Sequence, residues 1–96
     1  MKFIKNNDDL LINCEHILYL KKKQIGDCYY VVIDDTFDHL FDVFHCREEA
    51  VRNEMFKRII DFLDADTQKV FDVLEVMIEM KEEEKPHAQE NRISYT

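Results

Sequence analysis

The 96-residue, 11.6 kDa chain has room for one domain, and at 46% apolar and 35% charged residues it can build a core and escapes generic disorder. One Gly and one Pro exclude collagen-like, Gly-rich phosphate-loop and Pro-rich linker readings. A formal net charge of −8 repels a phosphate backbone and argues against direct nucleic-acid binding.

In chain order, the first half reads as strands. Phe3-Ile4-Lys5 and Leu10-Leu11-Ile12-Asn13 flank the turn-prone Asn6-Asn7-Asp8-Asp9, which predicts a hairpin. Cys14-Glu15-His16 is expected to connect to a strand over 17–23, and Gln24-Ile25-Gly26-Asp27 supplies the next turn with the single glycine. Residues 28–33 are β-branched and aromatic, the composition a buried pleated surface prefers. Asp34-Asp35-Thr36-Phe37-Asp38 breaks that strand, and 39–44 returns. Short gaps favour an antiparallel meander of four to five strands over parallel crossovers. Tyr30 and Val32 oppose Tyr29, Val31 and Ile33, so both faces are apolar and each calls for a cover.

From His45 and Cys46 the period changes to that of a helix. Val51, Met55, Phe56, Ile59, Ile60, Phe62 and Leu63 fill an arc of roughly 180°. Cys46 falls where a Ser or Thr cap is expected, so the start is under-capped. Asp64-Ala65-Asp66-Thr67 ends this helix, with Asp66 or Thr67 as cap for the next. Over 68–83, Val70, Leu74, Met77 and Ile78 fall on one side, although Leu74, Val76, Ile78 and Met80 also alternate as a strand would; length and the Lys/Glu-rich end favour the helix. Pro86 closes it. The expected fold is therefore α+β: a β-meander, one long helix and a second C-terminal helix, forming one domain over 1–84 with a flexible polar tail over 85–96.

Candidate chemistry is sparse. Cys14, His16, His45 and Cys46 offer two Cys/His pairs, but adjacent His-Cys is a poor chelating unit and neither spacing matches a zinc motif. Cys46 at a helix start would have a lowered thiol pKa, yet no orienting residue or oxyanion cradle accompanies it. The carboxylate pairs Asp34/Asp35, Asp38/Asp42 and Asp64/Asp66 read as turn formers, and the 34–38 loop lacks the glycine and terminal Glu of a calcium site. Lys21-Lys22-Lys23 ends a strand and reads as edge protection. No enzyme activity, cofactor or metal is expected.

Charge asymmetry is the better clue. Residues 1–23 carry +2 and the remainder −10, with 61–84 alone at −7. Asp61, Asp64, Asp66, Asp72, Glu75, Glu79, Glu82 and Glu83 are the candidate partner-binding residues, suited to a basic protein surface. The apolar excess on Phe56, Ile60, Leu63, Val73, Val76, Met77 and Met80 marks a candidate homodimer interface. The expected function is a non-catalytic interaction module. One specific form is a small inhibitor, of the kind phages encode, that occupies the basic groove of a nucleic-acid-handling protein. A Cys/His-dependent metal or redox protein and a structural subunit of a larger assembly are the alternatives. Three cysteines without Cys-x-x-Cys suit the cytoplasm. The longest apolar run, 28–33, is six residues against roughly 20 for a membrane span. The first nine residues offer no secretory signal.

Overall fold

The structure is a computed structural model that describes residues 1–6, 8–65 and 69–93, with side chains as far as Glu83. The strands are β1 (Phe3–Lys5), β2 (Leu11–Asn13), β3 (Ile17–Ile25), β4 (Cys28–Asp35), β5 (Leu40–Cys46) and β6 (Val70–Asp72). The helices are α1 (Glu49–Asp64) and α2 (Val73–Ile93), with a short 3-10 turn at Cys14–His16. The fold is α+β, but its strands form two three-stranded sheets rather than one meander.

The larger sheet, ordered β3-β4-β5, is the expected antiparallel meander. The smaller is ordered β2-β1-β6, and its β1–β6 pair is parallel, which corrects the all-antiparallel expectation. Three-residue strands 65 or more positions apart leave no local signature. They pair because the chain between them, including α1, brings the second half back beside Ile4.

Local chemistry explains the hairpins. Asn6, buried, accepts the Asp8 and Leu10 N–H groups on its Oδ1 at 3.0 Å each, while Asp9 takes φ 61°. Gly26 turns β3 into β4 at φ 57°. A bulge opposite Val31 and Val32 inserts an extra residue in β5, so that the consecutive Val43 and Phe44 are both buried.

One core joins both sheets and α1. Ile4 and Ile12 from the small sheet, Val31, Ile33 and Phe44 from the large one, and Met55, Ile59 and Phe62 from α1 pack together. Arg52, on the same side of α1, is only 6% exposed. Its Nη1 donates to the Lys23 and Tyr30 carbonyls at 3.0 and 3.3 Å, and its guanidinium lies over the Tyr29 ring. A charge can be buried here because carbonyl oxygens and a ring face receive it.

The helix boundaries differ from expectation. β5 runs through Cys46, since the Tyr29–Cys46 pair extends the ladder, and α1 begins three residues later with Glu48 at its cap position and no side-chain cap bond. Cys46 is therefore a strand residue whose Sγ–H donates to the Glu48 carbonyl at 3.1 Å. Lys2 serves the other end of α1, donating its ammonium to the Phe62 and Leu63 carbonyls at 2.9 Å each and to that of Ala65. A cation there complements a last turn with no basic residue of its own.

The second helix is present but starts at Val73 rather than 68: Val70–Asp72, expected as part of its first turns, form β6 by pairing with β1. Its cap is Asp72, whose Oδ1 accepts the Leu74 and Glu75 N–H groups at 3.1 and 3.3 Å. Asp66 and Thr67, the expected caps, lie outside the described residues. The α2 backbone is helical to Ile93, past Pro86. The polar tail expected over 85–96 falls beyond the described side chains. Among the described residues no helix is long and apolar enough to cross a membrane.

Candidate functional site

Residues of α1, β6 and α2 line a groove of about 330 Å³. Its floor is apolar: Phe62 and Phe71 are both buried with ring centroids 5.5 Å apart, and Val70 and Val76 extend it. Its rim is acidic. Asp61 comes from the last turns of α1, Asp72 from the end of β6, and Glu75 and Glu79 from successive turns of α2. The i, i+4 spacing puts those two glutamates on one side of the helix, and the β6–α2 junction brings Asp72 beside them.

The cation at this groove is already engaged. Arg58 donates from Nε to Glu54 at 2.8 Å and from Nη2 to Glu83 at 2.6 Å, tying α1 to α2. Those two hydrogen bonds hold the guanidinium above its ordinary pKa. Asp72 lies 3.7 Å from Lys5, whose ammonium pKa is raised chiefly by its bond to Asp9, with Asp72 adding to it. Asp61, Glu75 and Glu79 make no ion pair among the described residues.

Of the eight acidic residues singled out by sequence, four meet at this groove. Asp64 and Glu82 are exposed elsewhere, Glu83 is held by Arg58, and Asp66 lies outside the described residues. The apolar set divides differently. Phe56, Leu63, Val76, Met77 and Met80 are half-buried against the protomer's own core, Ile60 is 40% exposed, and Val73 is fully sealed. Val73 thus offers no surface to a partner. Met77 and Met80 also line a second cavity, with Phe44, Cys46 and Val51.

The cysteine and histidine residues do not converge. Cys14 is half-buried, and burial pushes its thiol pKa up, with Lys2 only partly opposing. Cys46 lies in β5 on the core side of the large sheet, two residues before the α1 cap position Glu48. Among the described residues, no group of three His, Cys, Asp or Glu side chains is placed to hold a metal. Two Asp–His pairs do form, His39 with Asp35 and His45 with Asp42, each at 3.0 Å. Asp35 is buried and organises its loop, accepting the Phe37 and His39 N–H groups at 2.9 and 2.8 Å. Burial pushes its pKa up, but these bonds and the His39 imidazole outweigh that and leave it below its ordinary value.

The roles of Lys2 and Arg52 are not legible in the sequence. Nothing in their neighbours marks them, since both act on carbonyls that the fold brings from far along the chain. Asp72 was visible as an acid but not as a cap, and the cue was its position immediately before the apolar helix, followed three residues later by Glu75. Compared with known proteins, the chain matches no family, no curated protein and no solved structure.

Proposed function

We propose that this protein is a non-catalytic interaction module that receives a basic segment of another protein in the α1–β6–α2 groove. The observation that carries this reading is the combination of an apolar floor with carboxylates from three elements, beside a cation already bound to Glu54 and Glu83. An arginine- or lysine-rich segment fits both features, because its aliphatic stems pack on Phe62 and Phe71 while its charged ends reach the rim. Surfaces that handle nucleic acid have this chemistry, so an inhibitor that competes with a phosphate backbone is the specific form favoured. The net charge of −8 supports it, steering such a partner while repelling nucleic acid itself.

The test is titration of an arginine-rich peptide followed by fluorescence anisotropy. The triple variant Asp61→Asn, Glu75→Gln, Glu79→Gln should weaken binding roughly tenfold, since each exposed pair is worth a few tenths of a kcal/mol to about 1 kcal/mol. Glu82→Gln, off the groove, should leave it unchanged. Asp72→Ser preserves a capping oxygen but removes a charge, and so should reduce binding without unfolding α2. Equal losses from Glu82→Gln and the triple variant would contradict the reading. So would binding that persists unchanged from about 0.1 M to about 1 M salt, where the screening length falls from about 10 to about 3 Å.

A further inference from the structure

Residues from the end of β5, the start of α1 and α2 line a second cavity that shares no residue with the acidic groove. Its volume is about 330 Å³, within the range of about 300–1,000 Å³ common to small-molecule sites. Local patterns bring its lining together. Phe44 and Cys46, two apart on β5, share the face that packs on the core. Met77, Met80 and Lys81 follow at i, i+3 and i+4 on one side of α2, and Val51 comes from the first turn of α1. We propose that this cavity binds a small amphipathic anion, an apolar tail ending in a carboxylate, with about ten non-hydrogen atoms in all at about 30 Å³ per water-sized group.

The lining selects that chemistry. Its interior is apolar and adaptable: Phe44 is buried, and Cys46, Val51, Met77 and Met80 are half-buried against the core. Its exposed edge carries two cations, Arg47 from the β5–α1 connection and Lys81 from α2. Among the described residues neither makes an ion pair, whereas Arg58 at the acidic groove is held by Glu54 and Glu83. One carboxylate, Glu48, shares the edge and opposes them only in part. The charge of the edge is thus the reverse of the acidic groove, in a chain whose formal net charge is −8.

A tail in the interior removes apolar surface from water, and a carboxylate at the edge pairs with Arg47 and Lys81. A neutral guest gains only the first of these, and a cationic one meets two like charges at the mouth. A cavity of this size takes a single carbon chain and not a helix of a partner protein, about 10 Å across. Because the ligand is small and its charge contacts lie at an exposed edge, the affinity is modest, with a Kd of about 0.1–1 mM. The two sites have separate linings, so this inference stands independently of the groove proposed above.

Titration with octanoate, followed by the methyl chemical shifts of Met77 and Met80, tests it, with octanol and octylammonium as probes that keep the tail and change the head. Octanoate should saturate one site and move both methyls, while Met1, which does not line the cavity, stays put. Octanol should bind about tenfold more weakly, and octylammonium more weakly still. Arg47→Gln and Lys81→Gln should each weaken octanoate about two- to fivefold and together about tenfold, leaving octanol unaffected. Glu48→Gln, which removes the opposing charge, should tighten octanoate about twofold. All three side chains are exposed, and that of Glu48 makes no cap bond, so the variants should fold, which circular dichroism checks. No saturable octanoate binding up to about 10 mM would overturn the proposal. So would equal affinity for octanol and octanoate, an unchanged octanoate affinity in the double variant, or binding that leaves the Met77 and Met80 methyls unmoved.

Discussion

The two sheets differ in how they are assembled, and the candidate groove belongs to the less self-sufficient one. The large sheet is a contiguous meander from Ile17 to Cys46, its strands seven to nine residues long and joined by tight turns. The small sheet gathers three strands of three residues each from both ends of the chain. Its integrity rests on long-range contacts: Ile4 between Ile12 and Phe71, Lys2 on the end of α1, and Lys5 beside Asp72. Phe71 and Asp72, on β6, form the floor and rim of the groove. Local sequence thus builds a platform, and distant contacts build the candidate binding site.

The largest effect that would sharpen this contrast is a cavity in the central short strand. Ile4 is fully buried, and Ile4→Ala should cost about 2–5 kcal/mol. Val32→Ala, buried but outside the joint core, removes fewer atoms and should cost less, about 1–2 kcal/mol. Urea denaturation measures both, and equal losses would break the distinction between the sheets. Next comes Lys2→Met, which keeps the aliphatic length but removes the donor to three α1 carbonyls. A loss of about 1–3 kcal/mol is expected, with faster amide exchange in the last turn of α1.

The smallest effect concerns acid and lies in the large sheet. Asp35 has a folded-state pKa below the unfolded one, so its contribution is fully present above about pH 4 and is lost as pH falls through the lower, folded value. Asp35→Asn should therefore flatten the stability profile below about pH 4 and leave its shape near neutrality unchanged. Thermal unfolding across that range checks it, and an unaltered acid limb would remove Asp35 from the account.

The same contrast explains what could be read in advance. The large sheet and α1 were legible because their signals are local: the β-branched run 28–33, the glycine at 26 and the helical period of Met55, Ile59 and Phe62. Element boundaries are less legible where distant pairing sets them: cross-strand pairing with Tyr29 keeps Cys46 in β5. Strand β6, the parallel pairing, and the partners of Lys2 and Arg52 were illegible, because their causes lie dozens of residues away. For the groove, the acidic residues were legible as a charge excess. Which four share a rim was not, since that depends on how the fold sets α1 beside β6 and α2.

The central claim is that the acidic groove, rather than the wider acidic surface, receives a basic segment. The most direct measurement is an amide chemical-shift titration of the full chain with an arginine-rich peptide. Shifts concentrated on Asp61, Asp72, Glu75 and Glu79 and the adjoining Phe62 and Phe71, saturating with a single isotherm, are the predicted result. Shifts spread evenly over exposed acids such as Asp64 and Glu82, or no saturable shifts at all, would contradict it.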